Sequence, residues 1–199
     1  WRFPAELEPP PAAMVAALRV ELALPTTATV IVYSGNFASY QGIDLLLGAA
    51  NQTLAADADA HLVCVGAATA AEIEAARAML TPGVADRVRL IGRQARERVP
   101  LYLELGDILV SPRSYGDNFP LKLFDYLAMG KPILATRIKA HTCVLDERIA
   151  KLAPPSAEGL AAAMLELLRQ PEERRHLARS AADFARRELS WDSFKALVA

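Results

Sequence analysis

The sequence predicts an α/β domain built on a doubly wound parallel sheet, followed by a purely helical C-terminal tail. Three observations lead there. Short β-branched apolar runs alternate with stretches whose apolar residues recur at helical spacing. The runs are apolar throughout, as strands covered on both faces are. After Pro155 only helical periodicity remains.

In chain order, residues 1–10 are Pro-rich (Pro4, Pro9, Pro10, with Pro11 next) and read as a tether. Residues 12–22 suit a short helix that Pro25 closes. Residues 29–33 form the first strand, turning at Ser34-Gly35. A helix over 43–54 places Ile43, Leu46, Leu47 and Ala50 on one face. The next strand, 62–65, ends at Gly66 and leads to a helix over 70–80. A third strand, 88–91, ends at Gly92. A helix over 99–105 and a strand over 108–110 follow. The pattern closes with a loop over 111–119, a helix over 120–129, a strand over 132–135 and a short strand near 149–152. Helices are expected at 156–169, 171–188 and 191–198. Residues 1–24 are therefore expected to be a linker and short helix belonging to a preceding domain, and 25–199 a single domain.

Composition narrows the function. The chain has 199 residues, long enough to bury a real core, and 53% of them are hydrophobic, which excludes a disordered chain. Lys and Arg total 22 against 23 Asp and Glu, so no global positive field argues for nucleic acid. Two cysteines, Cys64 and Cys143, cannot build a disulfide framework, and Cys64 reads as a buried reduced thiol. No CxxC or HExxH spacing suggests a metal site, so none is expected. No apolar stretch approaches the roughly 20 residues that span a bilayer. A cytoplasmic protein is the default expectation. The chain begins at Trp1 rather than Met and is expected to be processed or cut from something longer.

In a sheet of this kind ligands bind where loops leave the C-terminal ends of the strands. The candidate loops are 34–42, 66–69, 92–98, 111–120 and 136–144. The most informative stretch runs from Ser111 to Thr136. Pro120 sits where a first helical turn favours proline, and free N–H groups there would attract a phosphate. Lys122 and Asp125 share one helix face, and Gly130-Lys131-Pro132 stops the helix. A plain surface ion pair at i,i+3 would explain that spacing equally well.

The ordered string resembles the donor-binding signature of retaining GT-B glycosyltransferases, family 4 or group 1. Members typically carry two Glu eight positions apart, then Gly-Lys-Pro. Here Asp117 and Asp125 hold those places, ahead of Gly130-Lys131-Pro132. The resemblance implies that Asp125 bonds ribose hydroxyls and that Asp117 sits beside the transferred sugar. It also places the backbone of Asn118, Phe119, Pro120 and Leu121 near sugar and phosphate. A second stretch, from Tyr33-Ser34-Gly35-Asn36 to Gln41-Gly42-Ile43-Asp44, resembles the first strand–loop–helix of the family's C-terminal domain. Gly35 would let the backbone approach the diphosphate. Asn36 stands where Arg is frequent and Gln41 where Lys is frequent, which leaves Lys122 and Arg113 as the nearest substitute cations. A third, Val88 to Gly92-Arg93, resembles the strand whose following loop touches the nucleobase. Gly106-Asp107 through Pro112 resembles a fourth step, with Asp107 as a turn residue. Ser190-Trp191 resembles the start of the family's last helix.

The resemblance implies a Rossmann-like domain, the C-terminal half of a GT-B fold. It would bind a nucleoside-diphosphate sugar, UDP- or GDP-linked, without an obligatory metal or other cofactor. The reaction implied is transfer of a hexose-type sugar with retained configuration to a glycan, lipid or small-molecule acceptor held by an N-terminal domain. A membrane surface would be met through the full-length protein, and the piece alone is not expected to turn over. Two alternatives stay open: an epimerase-like GT-B domain, and a non-catalytic nucleotide-binding or interaction module. Of the histidines, His61 and His176 read as structural or solvated, whereas His141 follows the strand ending at Thr136 and is a candidate contact to donor or acceptor. Tyr115 also lies in the candidate loop.

Overall fold

The structure, a computed structural model, describes residues 9–189. Six strands form one parallel sheet: β1 (Thr29–Ser34), β2 (Ala60–Ala67), β3 (Val88–Gly92), β4 (Ile108–Ser111), β5 (Ile133–Thr136) and β6 (Lys151–Ala153). Their spatial order is β3-β2-β1-β4-β5-β6, and every neighbouring pair is parallel. This is the order of a Rossmann-like sheet, and it reverses direction between β1 and β4.

Strand side chains alternate between two cores. Ile31, Tyr33, Leu62, Cys64, Ile108, Val110 and Leu134 enter one, which packs under α2 (Ile43–Ala56) and α8 (Ala157–Arg169). Val30, Val32, Val63, Val65, Leu109, Ile133 and Ala135 enter the other. That core is covered by α1 (Ala12–Glu21), α5 (Val99–Leu105), α6 (Lys122–Ala128) and α9 (Pro171–Glu188). Both faces are buried, which is why the strands read as continuous apolar runs rather than as alternating ones. Cys64 is buried, as expected, and Cys143 is exposed.

Several boundaries differ from the sequence expectation. The expected 70–80 helix ends early, as α3 (Ala70–Ala78), and a short α4 (Pro82–Ala85) follows. Asn51 decides this: its amide donates to Met79 O at 2.9 Å, and its oxygen accepts from Thr81 N at 2.9 Å. A four-residue α7 (Lys139–Thr142) appears where only a loop was expected. The helix expected from 120 starts later, at Lys122, because Leu123 N and Phe124 N bond Pro120 O and Leu121 O in a tight first turn. The helix expected at 191–198 lies outside the described residues.

The division at residue 24 does not coincide with a break in packing. α1 lies against α5, and Leu18, Leu22 and Leu24 are buried in the second core. Arg19 donates to Pro25 O at 2.7 Å and Ala28 O at 2.6 Å, while Arg89 reaches Leu22 O at 2.7 Å. The α1 segment therefore packs on the sheet. Leu18→Ala is expected to lower the unfolding free energy by about 2–4 kcal/mol, the range for a buried leucine truncated in a packed core. Urea denaturation measures it, and an unchanged midpoint would mean that α1 does not contribute to the core.

Candidate functional site

The strand order makes a crevice between β1 and β4, and the two loops that leave it meet. Ser114 N donates to Tyr40 O at 3.2 Å, and the Arg113 guanidinium lies 5.1 Å from the Tyr40 ring centroid. Gly42 stands at φ +71°, where a Cβ would fall 2.0 Å from Pro112 O. The crevice is braced from below by two buried tyrosines. Tyr126 accepts from Ser34 N at 2.9 Å and donates to Val110 O at 3.3 Å, tying β1 to β4. Tyr33 donates to Asn36 O at 2.6 Å. Burial raises the pKa of both phenols, so they stay protonated donors. Sequence reading passed over both as site supports. The available signal was a helical face on which Tyr126 joins Leu123 and Leu127, since a buried tyrosine hydroxyl needs a partner.

Lys122 is the feature that departs most from a surface reading. Its ammonium lies 3.2 Å from Gln41 Oε1 and 4.3 Å from the Tyr33 ring centroid, and no carboxylate pairs with it among the described residues. The i,i+3 pair with Asp125 is not formed. Burial, with a smaller contribution from Arg113, pulls the Lys122 pKa down to about 7. The residue retains partial solvent exposure, yet the ammonium is ringed by protein. A Cβ on Gly35 would come within 3.2 Å of this ammonium. The ammonium's charge is therefore uncompensated by any acid among the described residues, beside a bare backbone turn.

Above the turn lies a cleft of about 420 Å³ whose lining includes Gly35, Asn36, Gly66, Arg93 and Gln94. Gly66, at φ +127°, crosses Gly35 so closely that a Cβ would sit 2.3 Å from Gly35 O. The two backbone turns therefore touch without side chains between them. Arg93 is exposed, and Gly92 O accepts from Gln94 Nε2 at 3.3 Å. Asn36 is exposed, and its side chain caps Ala38 N.

The remaining predicted residues divide. Asp125 is half-buried, and its carboxylate accepts no hydrogen bond among the described residues. Burial raises its pKa, opposed by Arg96 in the loop after β3. Asp117 and Asn118 are exposed, Pro120 is buried, and Leu121 is 65% exposed. The Phe119 side chain packs on Phe124, with centroids 4.7 Å apart. Arg113 is spent on its own loop, donating to Tyr115 O at 3.1 Å and Asn118 O at 2.6 Å. That leaves Lys122 as the cation beside Gln41. His141 is fully buried and bonded to Ser111 and Thr136. The seven-residue α6 makes its dipole a small contribution, so the weight given to Pro120 moves to Lys122. Asp107, at the opposite end of the sheet, accepts from Val30 N at 2.8 Å and is a turn residue as expected. No group of three or more metal-ligating side chains gathers among the described residues. No helix among them is long and apolar enough to cross a membrane.

The fold and this crevice define a Rossmann-like domain, matching the C-terminal domain of GT-B glycosyltransferases. A family model described as glycosyl transferases group 1 matches residues 28–170, and the chain belongs to that family. It is 26% identical over 183 residues to a D-inositol 3-phosphate glycosyltransferase of Segniliparus rotundus, covering 89% of this chain and 40% of that protein. It is 23% identical to an alpha-D-kanosaminyltransferase of Streptomyces kanamyceticus, covering 77% and 40%. The chain thus spans about two fifths of the length of these relatives. Among solved structures, Anabaena Alr3699/HepE in complex with UDP superposes at a TM-score of 0.83 with 16% identity, covering 95% of this chain and 52% of that one. The C-terminal domain of a group 1 family protein (LpcC) from Francisella tularensis superposes at 0.78 with 18% identity, covering 94% and 98%.

Proposed function

We propose that this domain binds a nucleoside-diphosphate sugar, UDP- or GDP-linked, with its diphosphate against the Gly35 turn and the Lys122 ammonium. The observation that carries this reading is the Lys122 ammonium with no acid beside it, next to the Gly35 turn, where a Cβ would come within 3.2 Å of it. Gly92 and Arg93 lie toward the base, Asp125 accepts from the ribose hydroxyls, and Asp117 with the Asn118–Leu121 backbone lies toward the sugar. Residues 1–24 are read as a linker and short helix from a preceding domain, and 25–199 as the nucleotide-sugar-binding domain.

The reaction is transfer of a hexose-type sugar with retained configuration to a glycan, lipid or small molecule held outside the described residues. The bond from the anomeric carbon to the phosphate oxygen breaks, and the acceptor oxygen bonds to the same face. The acceptor's proton passes to the departing phosphate, so neither Asp117 nor Asp125 serves as a nucleophile. Lys122 and the loop amides stabilise the charge that grows on the leaving diphosphate. A calorimetric titration with UDP, GDP, ADP and their sugars tests the reading, and no saturable binding to any of them overturns it. In that assay Asp125→Ala is expected to weaken nucleotide binding by about 1–3 kcal/mol, the loss of hydrogen bonds to a half-buried carboxylate. Unchanged affinity would remove Asp125 from the ribose site.

A further inference from the structure

Beneath the crevice runs a buried polar chain that nucleotide binding does not use. Ser111 ends β4, Thr136 ends β5 and His141 lies in α7, and all three are fully buried. His141 Nδ1 is 2.7 Å from Thr136 O, so Nδ1 carries the proton and donates it there. Nε2 is then an acceptor, and the Ser111 hydroxyl, 3.0 Å away, donates to it. The Thr136 hydroxyl, 3.1 Å from Nδ1, donates onward to Arg113 O. Each donor has an acceptor when the ring is neutral. Burial holds the ring neutral by lowering its pKa to about 4, and Lys122 and Arg113 act in the same direction.

The far end of the chain matters for the site. Arg113 is held at its carbonyl by Thr136, and its guanidinium reaches forward to Tyr115 O and Asn118 O. One residue therefore closes the loop on which Asp117 and Asn118 ride. A polar chain with no exposure stabilises only when complete, because one orphaned member costs roughly 1–3 kcal/mol. An apolar residue at 141 would fill the space without setting the Arg113 carbonyl. We propose that His141 is a positioning residue: a neutral bridge between the ends of β4 and β5 that fixes Thr136 and, through it, the Arg113 clamp shaping the loop over 113–118.

The test uses three variants of the full chain and two readouts. His141→Asn keeps a donor toward Thr136, His141→Leu keeps none, and Thr136→Val keeps the ring but loses the bond to Arg113. The first readout is hydrogen exchange at the Ser114 amide, which bonds Tyr40 O and needs no nucleotide. The second, which rests on the nucleotide-binding reading, is UDP affinity. His141→Leu and Thr136→Val are expected to exchange Ser114 at least tenfold faster, with β1 and β2 amides unchanged, and to bind UDP about tenfold more weakly. His141→Asn is expected to stay within about threefold of the parent on both. Unchanged Ser114 exchange in folded Thr136→Val overturns the proposal. So does faster exchange with unaltered UDP affinity, since the chain would then only support the fold. If His141→Leu does not fold, Thr136→Val decides. A parent chain that binds neither UDP nor GDP defeats the nucleotide reading, and Ser114 exchange still decides this one.

Discussion

Lys122→Gln is expected to weaken UDP binding by about 2–3 kcal/mol, roughly 30- to 160-fold, the scale of a charge-assisted hydrogen bond to a desolvated anion. The parent protein should also lose affinity as pH rises, and the variant should not. With the free-state Lys122 pKa at about 7, the ammonium is progressively discharged above neutrality. UDP's terminal phosphate, with a pKa of about 6 for such groups, is already ionised there. Affinity should therefore fall by up to about tenfold per pH unit above roughly pH 7, until the pKa of the complex is reached. Titrations at pH 6.5, 7.5 and 8.5 measure this, and a flat parent profile would separate Lys122 from the diphosphate. Because Lys122 Nζ lies 3.2 Å from Gln41 Oε1, adding Gln41→Lys to the variant should return part of the lost affinity.

The same shift fixes the sign of a stability effect. A lysine whose folded pKa lies below its unfolded value leaves the unfolded chain holding more protons between about pH 7 and 10.5. Stability then rises with pH across that window, and the protonated group penalises the native state below it. Lys122→Gln is accordingly expected to melt higher than the parent at pH 6.5. A functional cation kept at the expense of stability behaves in this way.

Gly42→Ala is expected to cost the fold about 2–4 kcal/mol. A left-handed φ of +71° disfavours any Cβ, and this one would fall 2.0 Å from Pro112 O. Backbone, not a flexible side chain, occupies the space, so the strain can be relieved only by parting the two loops. Parting them draws Gln41 away from Lys122, so nucleotide affinity should drop along with stability. Urea unfolding reads the first effect and UDP titration the second. A variant with the parent midpoint would mean that the seam between the loops is loose and the crevice is not built as described.

Most of the sheet could be read from the chain because strand and helix periodicities are local. Val30 to Tyr33 or Ile43 to Ala50 reveal their faces to a reader of a dozen residues. The boundaries that slipped were set by distant partners. Asn51 ends α3 from thirty residues away, and Arg89 and Arg19 fasten the end of the α1 segment to the sheet. His141 was placed at the correct edge, but its burial depends on Ser111 and Thr136, which no spacing rule connects.

By itself, the sequence determined the α/β class, the order of the elements, the family, and the loops among which a ligand site had to be sought. Tertiary structure alone decided which charges face each other in that site. Lys122 and Asp125, three residues apart, suggest an ion pair along one helix, yet the fold carries the lysine to Gln41, 81 residues earlier. The strand order that puts β1 beside β4 creates that meeting and holds the ammonium away from water. Local spacing governs which residues share a face, whereas desolvation depends on everything that packs around them.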